Sequence, residues 1–343
     1  MATKQINLAL QGGGAHGAFT WGVLDRLLEE EDIEIAGISG TSAGALNGAA
    51  LKAGMIEGGR QGAKDQLESL WARVGGVTSA GMGAWMSWLD AAPVARALEY
   101  SPAFAWADAY ARMTSPYSYG MFYRNPLREV VDAFDLGKVC AKEGPALFIC
   151  ATRVSTGKIR VFSGDEITTD AILASACLPT VFQAVEIEDP KTGKSEAYWD
   201  GGYSGNPALF PLFDRSLPPD IVIVNINPLE REETPVTPQQ IQNRINEISF
   251  NSSLLRELRA IAFVQRLLKE GKLTEAEKNS VLIHMIADDD LMTELSVATK
   301  MVPNCFFVDK LKDAGRATAE KFLSSHKKDL NNRSTVNLEK MYG

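Results

Sequence analysis

The fold of this 343-residue chain is decided by the stretch Gly37-Ile38-Ser39-Gly40-Thr41-Ser42-Ala43-Gly44. It closes a short apolar run that begins at Ile33 and opens a helix rich in small residues, predicted over Ala43 to Ala53. The last five residues of the stretch fit the G-x-S-x-G pattern, in which a serine occupies a tight strand-to-helix turn with its hydroxyl exposed. In a second interpretation, Ser42 only caps the N-terminus of that helix, a position that serine favours.

The residues around this stretch alternate between strand and helix patterns. Ile6 to Leu10 predicts a buried strand, Gln11 to Gly17 a glycine-rich turn, and Ala18 to Glu30 a helix with apolar residues at helical spacing. With the next strand, the order strand–helix–strand–helix is typical of a parallel sheet covered by helices. Further strands are predicted at 146–152, 159–162, 185–187, 197–199, 220–226 and 281–286, and further helices at 169–177, 238–270 and 311–323.

One domain is predicted over residues 1–330, followed by a polar tail over residues 331–343. The polar residues after Ser324 are predicted to fray. In the long helix at 238–270, one apolar face is predicted from Ile241, Ile245, Ile248, Leu255, Leu258, Ala262 and Leu268.

An insertion at about residues 75–125 interrupts the αβ pattern with prolines, glycines and short helical segments. Its aromatic residues include Trp85, Trp88, Phe104, Trp106, Tyr117, Tyr119 and Phe122. They form either a small core of the insertion itself or a lid or groove for an acyl chain, since Trp and Tyr suit a boundary between an apolar ligand and water.

Composition excludes several classes of protein. The net charge of −8 argues against a general nucleic-acid binder, which needs a basic face. The cysteines at 140, 150, 177 and 305 have no paired spacing, so we expect free thiols in a reducing compartment rather than a zinc site or disulfides. Without an apolar signal segment or a run long enough to span a bilayer, the sequence predicts a cytoplasmic protein.

The first glycine cluster has two interpretations. Gly12-x-Gly14-x-x-Gly17 formally matches a dinucleotide-binding fingerprint, but that fold needs an acidic residue at the end of the second strand, where this chain has Ser39-Gly40-Thr41-Ser42. In an acyl-transfer enzyme, consecutive glycine amides before a helix would stabilise the charge that develops on a carbonyl oxygen. Two adjacent strand–turn–helix units would place both turns at the same end of a parallel sheet, facing one substrate.

A nucleophilic serine needs a base, and this chain offers few histidines. His326 lies at a polar helix end and His284 in an apolar strand, which leaves His16 beside the glycine loop as a minor candidate. A carboxylate can take the role if burial raises its pKa. Asp200 is such a candidate, but Asp-Gly is also a common hairpin turn. Spacing alone does not separate these alternatives.

Four blocks in this order resemble the patatin-like phospholipases. Gly12-Gly13-Gly14-Ala15-His16-Gly17 is similar to the oxyanion-hole loop of that family, and Gly40-Thr41-Ser42-Ala43-Gly44 to its nucleophile elbow. Ala174-Ser175-Ala176-Cys177-Leu178-Pro179 resembles its alanine–serine–proline block, and Asp200-Gly201-Gly202 its aspartate motif. The resemblance covers about residues 6–215, and it implies a three-layer α/β/α sandwich with a central, mostly parallel sheet.

The resemblance further implies a serine lipid acyl hydrolase that needs no metal or other cofactor. Ser42 would be the nucleophile, Asp200 the base, and the amides of Gly12, Gly13 and Gly14 the oxyanion hole. The substrate would be a phospholipid or lysophospholipid. From the aromatic residues of the insertion, and not from the resemblance, residues 79–123 are predicted to gate or line the acyl site and to make peripheral contact with a membrane. Alternatives are an acyltransferase, an esterase for another ester such as a storage polyester, and a catalytically idle lipid-binding module.

His16 departs from the family pattern, because the family often has arginine or lysine at this position. A permanent positive charge near the oxyanion is thereby replaced by a group that titrates near neutrality. We expect His16 to support the glycine loop.

Overall fold

The computed structural model describes residues 3–76, 101–102, 106, 113–189, 193–232, 234–274, 280–295, 299–300 and 305–342. The strands in this part of the chain are β1 (Lys4–Leu10), β2 (Ile33–Thr41), β3 (Ala146–Arg153), β4 (Ile159–Ser163), β5 (Val185–Asp189), β6 (Lys194–Asp200), β7 (Asp220–Asn225) and β8 (Leu282–Ala287). The helices are α1 (Gly17–Leu27), α2 (Ala43–Gly76), α3 (Arg128–Val131), α4 (Leu136–Val139), α5 (Thr169–Ser175), α6 (Pro238–Lys269), α7 (Asp289–Glu294), α8 (Cys305–His326) and α9 (Leu338–Tyr342).

The eight strands form one sheet in the order β5-β6-β3-β2-β1-β7-β8, with β4 also paired to β3. The run from β3 to β8 is parallel, whereas β4, β5 and β6 join it antiparallel. The predicted α/β fold with a central, mostly parallel sheet is therefore confirmed. In such a sheet the carboxyl ends of the central strands share one edge, where clefts for ligands form.

Helices cover both faces of the sheet. Along β7, Val222 and Val224 face a core shared with α1, α2 and α8, whereas Ile221 and Ile223 face a second core shared with α6. All six residues of β7 are buried, as expected for a strand packed on both faces. Each fully buried aliphatic side chain contributes about 1.5–3 kcal/mol to stability.

Helix α2 is longer than the predicted helix over Ala43 to Ala53. It continues to Gly76 across a break at Gly58 and Gly59, whose backbone angles are not helical. The residues after the break return to the core, where Leu67 and Trp71 are each at most 2% exposed. The sequence pattern missed this continuation because the two glycines separate its two apolar faces.

The apolar face predicted for the long helix is wrong in its first half. Ile241, Ile245 and Ile248 are 43%, 53% and 54% exposed. Glu247 and Asn251 point inward instead and are at most 2% exposed. Their hydrogen bonds to the loop after β7 fix the rotation of α6, so polar contacts override the apolar pattern there.

The chain after Ser324 does not fray. Leu330 and Leu338 are buried, and the amides at 335 and 336 donate to the carbonyl of Ile283 in β8. The Tyr342 hydroxyl donates to the Leu255 carbonyl at 2.8 Å. Two buried leucines and these hydrogen bonds attach the polar segment to the domain. The division of the chain at residue 330 stays a prediction.

Most of the predicted aromatic insertion, including Trp85, Trp88 and Phe104, lies outside the described residues. Of its described part, Pro116–Phe122 forms a 3-10 helix in which Phe122 is 85% exposed. Within the described residues, no helix combines the length and apolarity needed to cross a membrane.

Candidate active site

Ser42 occupies the sharp turn between β2 and α2. Its φ of +54° lies in the left-handed region, which is strained for a residue with a side chain. The turn is possible because its neighbours are glycines: a Cβ on Gly40 would lie 2.5 Å from the Gly44 carbonyl oxygen, and a Cβ on Gly44 would overlap the Leu10 carbonyl. The strained serine is thus held at the carboxyl end of β2.

The buried hydroxyl of Ser175 accepts a hydrogen bond from the backbone of this turn. The backbone amide of Ser42 donates to Ser175 Oγ at 2.9 Å, and Ser175 Oγ donates to the Cys150 carbonyl at 2.6 Å. Ser175 is fully buried at the end of α5. The alanine–serine block of the sequence therefore joins the elbow to β3.

Strand β3 brings Asp200 beside the serine. Residues 151 and 152 pair with both β4 and β6, so these two strands lie on opposite edges of β3. Residues 148–150 pair with both β2 and β4, so β2 shares its edge of β3 with β6. Thr41 is opposite Cys150, and Asp200 is opposite Ala151. The end of β6 therefore takes over the edge of β3 where β2 turns away into the elbow.

The Asp200 carboxyl is buried close to the Ser42 hydroxyl. It is 1% exposed, and Oδ1 accepts a 2.7 Å hydrogen bond from the Gly202 amide. Oδ2 makes no hydrogen bond of regular geometry with the described residues, yet the Ser42 hydroxyl is close enough to act on the pKa of this carboxyl. Burial raises the pKa of Asp200 to about 7, against the opposing effects of the Gly202 amide and the Ser42 hydroxyl.

The glycine loop packs directly against Ser42. A Cβ on Gly12 would lie 2.6 Å from the Cβ of Ser42, so only glycine permits this approach. Of the three amides predicted to form the oxyanion hole, that of Gly12 already donates to Asn206 Oδ1 at 2.7 Å. The assignment of the oxyanion hole stays a prediction. The Gly13 and Gly14 amides donate to no acceptor in the described part of the chain.

Four buried amide side chains that the sequence analysis missed hold this loop. Asn206 Nδ2 and Asn227 Nδ2 both donate to the Gly12 carbonyl, at 3.3 and 2.8 Å. Gln11 Oε1 accepts from Asn227 Nδ2 at 3.1 Å, and Gln11 Nε2 donates to Asn251 Oδ1 at 3.1 Å. They come from the ends of β1 and β7, from α6 and from the segment after the Asp200 motif. Gln11, Asn206 and Asn227 have one signal in the sequence, their position just beyond a strand or motif, whereas Asn251 lies within α6 and has none.

The hydrogen-bond partner of the His16 ring is neither Ser42 nor Asp200. The side chain of His16 is fully buried, and Nε2 lies 2.8 Å from Thr299 Oγ1. Burial, together with the nearby charge of Lys300, holds the pKa of His16 well below its usual value, so the ring is neutral. This geometry suits the predicted support of the loop, which stays a prediction.

The other predicted candidates lie elsewhere. His284 pairs with Asp220 at 2.9 Å, both fully buried on β8 and β7, and His326 lies 3.1 Å from Asp329 near the C-terminus. Asp220 is the first residue of its strand, so this pair belongs to the sheet edge opposite Ser42. Among the described residues, no group of three or more His, Cys, Asp or Glu side chains is arranged to hold a metal ion.

Comparison with known proteins adds to this geometry. Residues 8–213, more than half of the chain, match the family model described as Patatin-like phospholipase. No significant match is found among curated proteins. Among solved structures, the chain is similar to VipD from Legionella pneumophila, with 16% sequence identity and a TM-score of 0.45. The alignment covers 95% of this chain and 68% of that one.

Proposed function

Because this chain belongs to the patatin-like phospholipase family, we propose that it is a serine lipid acyl hydrolase built on Ser42 and Asp200. The observation that carries the proposal is the register of β3, which sets a buried Asp200 carboxyl beside a strained serine. A carboxyl with a pKa of about 7 is matched to proton transfer near neutral pH. No histidine is needed in this assignment.

The reaction begins when Ser42 Oγ attacks the ester carbonyl and its proton passes to Asp200. Negative charge develops on the carbonyl oxygen, where the Gly13 and Gly14 amides donate hydrogen bonds, and the N-terminus of α2 adds its positive end. Gly12 keeps the loop close to the serine. As the tetrahedral intermediate collapses, the leaving alcohol takes the proton from Asp200 and the acyl group stays on Ser42.

Water completes the cycle. Asp200 takes a proton from a water molecule as its oxygen attacks the acyl-enzyme, and the same oxyanion donors act on the second tetrahedral intermediate. Collapse releases the fatty acid, and Ser42 Oγ recovers the proton from Asp200. Every proton transfer therefore uses one carboxyl group, alternately as base and as acid.

We propose phospholipids or lysophospholipids as substrates and residues 79–123 as the contact with a lipid surface. Support comes from the described part of this segment, where Met121 is 90% and Phe122 85% exposed. The end of the segment is also connected to Asp200. The Tyr123 hydroxyl accepts from the Gln183 amide at 3.2 Å, and the Gln183 carbonyl accepts from Cys177 Sγ. The Cys177 carbonyl in turn accepts from the Asp200 amide at 2.8 Å. Replacing Met121 and Phe122 by serine should reduce sedimentation with phosphatidylcholine vesicles and leave hydrolysis of a soluble short-chain ester unchanged. Equal sedimentation would contradict this contact.

The nucleophile is tested with a fluorophosphonate probe and a medium-chain ester. Ser42→Ala should abolish labelling and reduce ester hydrolysis at least about 10³-fold, whereas Ser324→Ala, at an exposed serine, should match the wild type. Asp200→Asn should also lose hydrolysis. Undiminished hydrolysis in both site variants would refute the proposed function. Profiling of the released lipids then distinguishes a phospholipase from an esterase for other substrates.

A further inference from the structure

A chain of hydrogen bonds connects a lysine near the C-terminal end of the fold to the glycine loop. Lys300 Nζ donates to Asn227 Oδ1 at 3.3 Å. The other end of the same amide, Asn227 Nδ2, donates to the Gly12 carbonyl at 2.8 Å. Asn206 Nδ2 adds a second, longer bond to that carbonyl at 3.3 Å. Lys300 and Asn227 both lie beyond the matched residues 8–213.

The last link of this chain is a peptide bond. The carbonyl of Gly12 and the N–H of Gly13 belong to one conjugated amide. Donors on the carbonyl oxygen draw electron density from the nitrogen, so hydrogen bonds in series strengthen one another. The Gly13 N–H is the last donor of this series and has no acceptor in the described structure.

The carboxylate nearest to Lys300 is shared with two arginines. Lys300 Nζ lies 4.0 Å from Glu247 Oε1, and 16% of its side chain is exposed. The Glu247 carboxylate is already bound by Arg231 at 2.7 and 2.8 Å and lies 3.4 Å from Arg244. Within the described residues, one carboxylate therefore faces three cations.

Lys300 is also fixed against the loop by its backbone. A Cβ on Gly14 would overlap the Lys300 carbonyl oxygen, and the preceding Thr299 contacts His16. The neutral ring of His16 cannot supply a charge to the loop, because burial and Lys300 keep its pKa well below the usual value. The charged group that hydrogen bonds connect to this loop is Lys300.

We propose that Lys300 is a positioning residue that polarises the Gly13 amide of the oxyanion hole through Asn227 and the Gly12 carbonyl. This inference rests on the proposed function. The Gly13 N–H becomes a stronger donor where negative charge develops, so the effect is larger in the transition state than in the ground state. It lowers the barrier of the chemical step and leaves substrate binding nearly unchanged.

The test compares kcat and KM for a soluble medium-chain ester. Lys300→Met should lower kcat about tenfold with KM changed less than about twofold, because it removes an interaction that strengthens in the transition state. Lys300→Arg should recover most of the rate. Lys272→Met, at a lysine that is 66% exposed, is the matched control and should equal the wild type.

Combined with Lys300→Met, Asn227→Asp separates the relay from a merely structural link. It keeps, and adds charge to, the contact with Lys300 but removes both N–H donors. Asn227 also holds the glycine loop, so we expect this variant to lower kcat in any case, at least as far as Lys300→Met does. The relay is decided by whether Lys300→Met lowers kcat further in this background: a second full tenfold loss would contradict it. The double variant Lys300→Met/Asn227→Asp should be less than additive.

The outcomes separate the two proposals. A wild-type enzyme without Ser42-dependent hydrolysis refutes the proposed function itself. Ser42-dependent hydrolysis with unchanged kcat in Lys300→Met, or a rise in KM alone, refutes only the relay. Thermal unfolding checks that the variants are folded. Should Lys300→Met not fold, Lys300→Gln and the rate of fluorophosphonate labelling, which builds charge on the same oxygen position, give the same comparison.

Discussion

Replacing Asp200 by asparagine should remove the activity and at the same time stabilise the fold. The folded protein holds this carboxyl at 1% exposure, and burial raises its pKa from 3.8 to about 7. An ionised Asp200 is therefore less stable in the folded chain than in the unfolded one. Asparagine has nearly the same shape, keeps an oxygen for the Gly202 amide at the Oδ1 position and carries no charge.

The magnitude follows from the pKa shift and its sign. Below pH 3.8 the carboxyl is protonated in both states and the shift has no effect on stability. Between pH 3.8 and about 7 the unfolded chain ionises first, so stability falls as the pH rises. Above pH 7 the full difference of about three pKa units, about 4 kcal/mol, destabilises the wild type. Asp200→Asn should recover a large part of it, about 2–4 kcal/mol at pH 8 and about 1 kcal/mol at pH 4.5.

Urea unfolding of both proteins at pH 8 and pH 4.5 measures these differences. A variant that is less stable than the wild type at pH 8, or a difference that does not change with pH, would refute the reasoning. It would mean that Asp200 is not a buried group whose ionisation the fold opposes.

Asp220→Asn is the matched control with the opposite sign. Asp220 is equally buried, and burial alone would raise its pKa, but hydrogen bonds from His284 and the Asn331 amide outweigh this and lower it. Its contribution to stability is present above the pKa of the unfolded state and is lost as pH falls through the folded pKa. At pH 8 we expect Asp220→Asn to lose about 3 kcal/mol, as for a broken buried pair.

Three further predictions follow from the same geometry. The kcat/KM of the wild type should rise about tenfold between pH 6 and pH 8 as Asp200 ionises, and a pH–rate profile with its midpoint below pH 5 would contradict this. Ser175→Ala leaves the buried amide of Ser42 without an acceptor and should cost about 1–3 kcal/mol in urea unfolding together with a lower kcat. Gly44→Ala places a methyl group onto the Leu10 carbonyl and should destabilise the protein by more than about 3 kcal/mol or prevent folding. Gly58→Ala, with nothing within 4 Å of its added Cβ, should stay within about 0.5 kcal/mol of the wild type in thermal unfolding.

The sequence predicted the elements whose signals are local. Alternating strand and helix patterns predicted a mostly parallel α/β sheet, and the ordered glycine, serine and aspartate motifs predicted the patatin-like family, both of which are confirmed. Apolar periodicity was less reliable where polar contacts decide orientation. In α6 the inward hydrogen bonds of Glu247 and Asn251 turn three isoleucines to solvent.

The candidate site was only partly accessible to sequence reasoning. Ser42 and Asp200 were predicted from motifs, and their catalytic roles stay predictions, but spacing did not reveal why two residues 158 positions apart should meet. The answer is the edge of β3, which pairs with β2 up to Cys150 and with β6 from Ala151 onward. Strand pairing of this kind depends on the whole sheet, so it cannot be recognised in the sequence of either motif.

For the glycine loop, too, the sequence determined one part of the arrangement and the tertiary structure the other. Its glycines by themselves determined that backbone amides come close to the serine, because only residues without a Cβ allow that approach. Only the tertiary structure decided which of these amides already have a hydrogen-bond acceptor, since the Gly12 amide donates to Asn206 Oδ1. It also decided where the nearby positive charge comes from, since Lys300 reaches the loop through Asn227. Local conformation is encoded in neighbouring residues, whereas hydrogen-bond partners and charges are set by segments that only folding brings together.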